Sequence, residues 1–209
     1  MSENFTVDRA AELWDDFARQ FMQINPGIHF TTAQSPEERE AVYRARFAEV
    51  IRNGWAQPAD MPDGLERDDY DERALHLVGW RDGQRAIVGR LVFPSPGRPL
   101  PTEAAYNLEI EPHQQVVDTG RGILLRDDPR EAQHELFLGL MSFAWQESRK
   151  RGFSYACAAM TASMLRLYRM MGIHWDVLGD PRLYWGEMRY PCRSDVVKTV
   201  QSFLARGAS

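Results

Sequence analysis

Two apolar runs facing each other across a four-residue turn decide the fold class. They read Ala74-Leu75-His76-Leu77-Val78-Gly79-Trp80, then Arg81-Asp82-Gly83-Gln84, then Ala86-Ile87-Val88-Gly89-Arg90-Leu91-Val92-Phe93. Asp-Gly at the centre supplies the positive φ angles a tight hairpin turn needs, and β-branched and aromatic side chains fill both arms. The pattern predicts an antiparallel hairpin. In the second half, residues 130–150 form the longest helical pattern, with Leu136, Leu140, Phe143 and Ala144 on one face and Gly152 as its stop. Residues 153–160 read as a buried strand, Thr161 as the cap of a helix to Met171, and Gly172 as its end. A hairpin early and a β-α-β run late predict a three-layer α/β/α sandwich around a mixed, mostly antiparallel central sheet.

The remaining segments fit this plan. Residues 7–22 are an amphipathic docking helix carrying Leu13, Trp14, Phe17 and Phe21, and residues 27–32 are a short strand. Ser35-Pro36-Glu37-Glu38 is a capping box with proline at the first helical position, opening a helix to about Asn53 that Gly54 stops. Residues 57–64 and 94–101, rich in Pro, Gly and Asp, are read as loops, the first of them mobile. Val116-Val117 and Ile123-Leu124-Leu125 are strand on either side of Gly120, where a bulge is expected. Residues 173–178 and 184–190 are two further strands, and residues 194–204 a final helix. Residues 1–34 are thus an N-terminal helix and strand packed on the domain, 35–193 the core, and 194–209 a C-terminal helix and tail.

Composition narrows the function. The chain has 209 residues, 44% hydrophobic and 26% charged, which disfavours disordered and fibrous classes. Its net charge of −5 argues against bulk binding to nucleic acid, and no run of residues is long and apolar enough for stable membrane insertion. Met1-Ser2-Glu3-Asn4 lacks the basic start of a signal peptide, and Cys157 and Cys192 are too few for a disulfide framework, so a cytoplasmic location is expected. The five histidines share no ligand spacing, so no metal is expected, and neither a P-loop nor a G-x-S-x-G elbow occurs. Six Trp, ten Phe and nine Met leave an apolar interior that is either solid or hollow.

What remains is a constellation of charge where strands and loops converge. It comprises Arg46 with Gly54-Trp55, then Glu66-Arg67-Asp68-Asp69-Tyr70-Asp71, then Gly89-Arg90-Leu91, then Asp118-Thr119-Gly120-Arg121. An arginine such as Arg90 inside a strand either faces water or is buried with a carboxylate. In order and spacing, over residues 40–190, these fragments resemble the acyl-homoserine-lactone synthases (autoinducer synthases) and related N-acyl amino acid synthases of the GNAT acyltransferase superfamily. The family pattern has Glu where Asp118 stands and Ser where Gly120 stands. Its homoserine-lactone type continues Gly-Arg-Leu into Pro-Thr-Thr, whereas this chain reads Val92-Phe93-Pro94-Ser95, and Leu100-Pro101-Thr102-Glu103 is closer to the N-acyl amino acid synthases.

The resemblance implies a GNAT-like core and an N-acyltransferase. It moves a medium or long acyl group from a thioester to the amine of a small amino-acid-type acceptor, by direct attack and with no permanently bound cofactor. Asp118 is the expected base, and Arg121 its ionic partner or a substrate anchor. Arg46, Asp68, Asp71 and Arg90 form a charged wall around the acceptor, which Trp55 lines. Phe143, Met160 and Thr161 belong to the acyl side, where Leu140, Leu165 and Met171 are also plausible; Thr161 equally has a capping job. Acetyl-CoA members of the superfamily hold pyrophosphate on a glycine-rich loop before the long helix. This chain instead has Arg126-Asp127-Asp128-Pro129-Arg130-Glu131, which repels pyrophosphate and favours acyl-phosphopantetheine on an acyl carrier protein over acyl-CoA. Arg149-Lys150-Arg151 is a candidate carrier-protein contact, or a helix end complementing its own dipole. The alternatives are an acyl-homoserine-lactone synthase using S-adenosylmethionine, and a catalytically idle binding module of the same fold.

Overall fold

The structure is a computed structural model that describes residues 6–23, 27–125 and 127–207; Met1-Ser2-Glu3-Asn4 and Arg126 lie outside the described residues. Its helices are α1 (Val7–Gln23), α2 (Pro36–Arg52), α3 (Pro101–Tyr106), α4 (Arg130–Arg149), α5 (Ala162–Met171) and α6 (Val196–Gly207). Its strands are β1 (Ile28–Thr32), β2 (Ala74–Arg81), β3 (Gln84–Val92), β4 (Val116–Leu124), β5 (Tyr155–Thr161), β6 (Trp175–Val177), β7 (Arg182–Tyr184) and β8 (Glu187–Ser194). All eight strands join one sheet in the order β1-β2-β3-β4-β5-β8-β6, with β7 also on β8. Only β4 and β5 run parallel, because α4 crosses over between them; every other pair is antiparallel.

The hairpin that opened the sequence argument forms with Asp82 and Gly83 at φ +52° and +73°, the left-handed pair that matches strand twist. At the start of α2, the Ser35 hydroxyl accepts from Glu38 N–H and the Glu38 carboxylate accepts from Ser35 N–H, so two orphan donors are satisfied reciprocally. Thr161 caps α5 by accepting from Met164 N–H, and Gly172 ends it at φ +85°.

The sheet divides the apolar side chains into two sets. On one face, α1, α4, α5 and α6 cover Leu77, Leu91, Val117, Ala158 and Met160. On the other, α2 and the segment around α3 cover Val78, Val88, Ile123, Val92 and Val116. The docking helix α1 stays on its face through aromatic contacts: Trp14 and Phe17 lie 5.2 Å and 5.3 Å, ring to ring, from Phe203 of α6.

Four sequence expectations change. Strand β4 runs unbroken through Gly120; the bulge against β3 is there, but Arg121 and not the glycine takes the left-handed backbone at φ +54°. Residues 184–190 are not one strand, because Trp185 and Gly186 both have positive φ (+54° and +67°) and turn the chain from β7 into β8. Helix α3 follows the Pro-rich loop, where no element was expected; Pro101 starts it and Glu103 turns back to accept from Leu100 N–H. The loop over residues 57–64 contains two tight turns, Pro58–Asp60 and one closed by Gly64 N–H donating to the Met61 carbonyl at 3.0 Å, and Met61 packs on the core beneath α2.

Phe30 sits where the close approach of α4 to the sheet is decided. A Cβ placed on Gly79 of β2 or Gly139 of α4 would lie 2.6 Å and 2.5 Å from its ring. Only glycine on both sides leaves room for the aromatic. Gly139→Ala is therefore expected to lower stability by about 1–3 kcal/mol through overpacking. Thermal unfolding measures this, and pairing the change with Phe30→Leu should recover most of the loss.

Candidate active site

The site begins with a gap in the sheet. β4 and β5 pair only through Val116–Tyr155, Val117–Ala156 and Asp118–Cys157. Beyond that point residues 119–124 stay with β3 and residues 158–161 go with β8, so the two parallel strands splay apart. A cavity of about 530 Å³ occupies the splay. It passes from one face of the sheet to the other and has two different ends. Arg90, Asp118, Arg121, Trp55, Trp185 and Arg189 line one; Trp14, Met141, Trp145, Met160, Met164 and Tyr168 line the other.

The charged end rests on a buried network. Arg46, from α2, is fully buried and grips Asp71 with two parallel bonds of 3.0 Å, donates to the Glu66 carbonyl at 2.7 Å, and contacts the Glu66 carboxylate through Nε. Arg90, from β3, reaches Asp68 at 2.6 Å and Asp71 at 3.1 Å. Arg121 closes the ring with Glu66 at 3.2 Å and Asp68 at 2.9 Å. Three guanidinium groups thus interleave with three carboxylates. Burial alone would raise the Asp71 pKa, but Arg46 and Arg90 outweigh it and hold the carboxyl well below its usual range. Burial likewise works against charged Arg90, yet Asp71 and Asp68 keep its pKa raised.

The β4 bulge is what makes the ring possible. Along a regular strand Asp118 and Arg121, an odd number of residues apart, face opposite sides. The extra residue between the Arg90–Gly120 and Val88–Ile123 pairs turns Arg121 to the side of Arg90, where its guanidinium carbon also stacks 3.7 Å from the Trp185 ring centroid. Gly186, beside Trp185, is held against Trp55: a Cβ there would lie 2.9 Å from the Trp55 Cα. The turn between β7 and β8 therefore roofs the charged end from the C-terminal half, and α2 with Trp55 roofs it from the N-terminal half.

Asp118 stands apart from the ring. Its Oδ2 accepts from Thr102 N–H of α3 at 2.7 Å and from the Cys157 thiol at 3.5 Å. Burial raises its pKa, against the pull of the Thr102 bond. Burial also pushes the Cys157 thiol well up, so it is a neutral donor here and not a nucleophile. Oδ1 lies beside Gly120, 3.8 Å from where a Cβ would be, an ordinary contact.

Of the residues singled out from sequence, Trp55, Arg90, Asp118, Arg121, Met160 and Thr161 line the cavity, while Arg46, Asp68 and Asp71 lie behind its charged wall. Two expectations are corrected. Arg121 is not the ionic partner of Asp118, because Glu66 and Asp68 claim it. Phe143 is not on the acyl side: it packs 5.8 Å from the Phe30 ring in solid core. Leu165 and Met171 similarly pack on core, whereas Leu140 does line the cavity. Arg149-Lys150-Arg151 is largely neutralised within the fold, Arg149 by Asp15 at 3.2 Å and Lys150 and Arg151 by Glu147 at 2.5 Å and 2.8 Å.

Sequence reading missed Thr102 and Trp185, which come from the unforeseen helix and turn, and Arg189, which lies on β8 opposite Thr161. It also missed Glu66 and His76 as members of the network. For Glu66 the signal was present, since it begins the acidic stretch. His76 is fully buried on β2, opposite Arg90, with Nε2 3.3 Å from the Asp71 carbonyl and 3.2 Å from the Tyr43 hydroxyl. Among the described residues no group of three His, Cys, Asp or Glu side chains is arranged to hold a metal ion, and no helix is long and apolar enough to cross a membrane.

Removing one partner from this network leaves a buried charge unpaired. Arg46→Met is expected to cost about 3–5 kcal/mol in denaturant unfolding, and Arg46→Lys, which cannot grip Asp71 with two bonds, should recover little. Burial lowers the His76 pKa from 6.5 to about 4. The unfolded chain therefore binds a proton that the folded chain refuses, and stability falls as pH drops from 6.5 toward 4 by up to about 3 kcal/mol. A series of unfolding curves across that window checks this, and His76→Gln should flatten the slope.

No protein-family model and no curated protein matches the chain. Solved structures do. BjaI, a CoA-dependent acyl-homoserine lactone synthase solved with SAM and isopentyl-CoA, is 21% identical over 86% of this chain and 88% of its own, with a TM-score of 0.65. FeeM, an N-acyl amino acid synthase from uncultured soil microbes, is 16% identical over 88% of this chain and 98% of its own, with a TM-score of 0.63. An acyl-CoA N-acyltransferase from Pseudomonas aeruginosa is 17% identical over 80% of this chain and 99% of its own, with a TM-score of 0.53. At these identities the likeness speaks to architecture: this chain has the GNAT-like fold, and its structural neighbours include an acyl-homoserine lactone synthase and an N-acyl amino acid synthase.

Proposed function

We propose that the protein is an N-acyltransferase moving a medium- or long-chain acyl group from a thioester to the amine of a small amino-acid-type acceptor. One observation carries the reading: a cavity through the β4–β5 splay that is charged at one end and apolar at the other. A thioester lying in the splay has its acyl chain among Trp14, Trp145 and Met164 and its carbonyl beside β4. The edge of β4 that faces away from β3 has no ladder partner past Asp118, which leaves backbone donors for the developing oxyanion. The acceptor enters from the Trp55 and Trp185 side.

In the reaction, the amine nitrogen attacks the thioester carbon while Asp118 takes its proton, directly or through one water. The new C–N bond forms, the C–S bond breaks, and the thiol leaves with a proton. The raised pKa of Asp118 suits a base better than an ordinary carboxylate does, and the neighbouring network fixes Arg121 and Arg90 in place at the charged end of the cavity. The donor we favour is acyl-phosphopantetheine on an acyl carrier protein. The approach to α4 carries Asp127, Asp128 and Glu131, has Pro129 where a backbone donor would sit, and directs no glycine loop at a pyrophosphate. With Arg149, Lys150 and Arg151 mostly paired internally, any carrier-protein contact there rests on the exposed part of Lys150 and Arg151.

Expression in a bacterial host with mass spectrometry of the organic extract tests the reading. N-acyl amino acids support it, homoserine lactones redirect it to an S-adenosylmethionine acceptor, and no acylated amine overturns it. Purified enzyme with acyl carrier protein and CoA thioesters then decides the donor. Asp118→Asn, which still accepts from Thr102 N–H, should lose about 10²–10⁴-fold in kcat. The wild-type rate should rise with pH through the raised carboxyl pKa, since only the carboxylate accepts a proton, and the variant should lack that limb.

A further inference from the structure

The sheet has more apolar surface on its α5 side than α5 covers. Along β8, Met188, Tyr190 and Cys192 alternate onto one face, and Tyr190 and Cys192 pack there in the cluster that contains Tyr168 of α5. Val177 of β6 stands opposite Cys192 and Leu183 of β7 opposite Met188, so both share that face. They form the outer margin of the sheet, since no described strand pairs beyond β6 and β7. The margin is left uncovered: Leu183 is 74% exposed, Met188 54% and Val177 50%. Met170, on the outer side of α5, is 67% exposed. Every large apolar side chain more than a third exposed among the described residues falls between Met170 and Leu204.

The same region is basic in an acidic protein. Residues 162–207 carry seven Lys or Arg and four Asp or Glu, whereas the whole chain has a net charge of −5. Arg166 and Arg169 share the outer face of α5 with Met170, at helical spacing, and form no ion pair among the described residues. Arg206 of α6 lies beside Gly172 at the end of α5. The carboxylates are mostly occupied: Lys198 takes Asp176 at 3.0 Å and Asp195 at 2.9 Å, and Arg189 takes Glu187 at 2.7 Å. Asp180, between β6 and β7, is left as the carboxylate of this edge without an ion pair among the described residues.

We infer that this face is a peripheral docking surface for an anionic lipid membrane, with Met170, Val177, Leu183 and Met188 entering the headgroup and acyl boundary and Arg166 and Arg169 meeting lipid phosphates. Exposed to half or more, these apolar side chains project from the surface, which suits insertion among lipids, and the unpaired arginines supply the attraction that the chain's overall charge lacks. The inference goes beyond the acyltransferase reading and does not depend on it. Under that reading the surface borders the active site: Tyr184 and Glu187, the strand neighbours of Leu183 and Met188, line the cavity. An amphiphilic product then leaves beside the lipid that takes it up.

Co-sedimentation with vesicles tests this apart from turnover. The purified protein is spun with vesicles of phosphatidylcholine alone and of phosphatidylcholine with an equal share of phosphatidylglycerol. The wild type should pellet with the anionic vesicles and be released by high salt. Leu183→Ser combined with Met188→Ser should weaken partitioning at least about tenfold, and Arg166→Gln and Arg169→Gln about fivefold each. All four positions are exposed, so thermal unfolding should match the wild type. A wild type that stays in solution, binds both vesicles equally, or binds undiminished in the variants overturns the inference. So does a dimer in sedimentation velocity that Leu183→Ser with Met188→Ser dissolves, which gives the face to a second copy of the chain. Capture of an acyl carrier protein by this face, with no vesicle binding, likewise overturns it.

Discussion

Three arginines cannot lie beneath a β-sheet surface without counter-charges, and that constraint organises the site. Arg46 from α2, Arg90 from β3 and Arg121 from β4 reach the same interior region. They are accommodated because the segment from Glu66 to Asp71 threads between them and places a carboxylate against each. This segment has little regular structure of its own. Its course is dictated by the ion pairs, together with the Asp71 carboxylate accepting from Asp68 N–H at 2.8 Å. Through it, helix α2 is tied to the sheet and Trp55 is carried to the mouth of the cavity.

The same network explains why a non-glycine residue tolerates the left-handed backbone at Arg121. Two carboxylates and the face of Trp185 hold its side chain, and together they over-determine the conformation. The bulge in turn separates two functions along one strand. Asp118 faces α3 and Cys157, where burial raises its pKa, and Arg121 faces the ion-pair ring. A carboxylate paired directly with Arg121 would be stabilised in its charged form and would be a poorer base.

The large aromatic and sulfur-containing content of the chain has two destinations. Phe17, Phe30, Phe143 and Phe203 are solid packing between helices and sheet. Trp14, Trp145, Met160, Met164 and Tyr168 are packing on one side and cavity wall on the other. The split follows from the single parallel pair. Where β4 and β5 part, there is no ladder to bring the two half-sheets together, and the side chains of α1, α4 and α5 arch over the gap in place of filling it.

Local signals in the chain determine much of this. Asp82-Gly83 requires a hairpin, Ser35 and Glu38 a helix start, and Gly152 and Gly172 helix ends, because each depends on backbone preferences within a few residues. The order of Arg46, Asp68, Asp71, Arg90 and Asp118 was legible through its resemblance to a family pattern, and for Arg90 also because a charge inside an apolar strand has few places to go. Other features depended on partners distant in sequence. Phe143 and Met160 carry equally apolar patterns, but Phe143 packs on Phe30 in the core while Met160 lines the cavity where β4 and β5 part. Trp185 and Gly186 turn where a strand pattern continues, and α3 forms where proline spacing suggests a loop. The partner of Arg121 was likewise decided by tertiary structure. Sequence spacing determines which face a residue can occupy, but contact between side chains many residues apart is set only when bulge, turn and strand splay have placed their backbones.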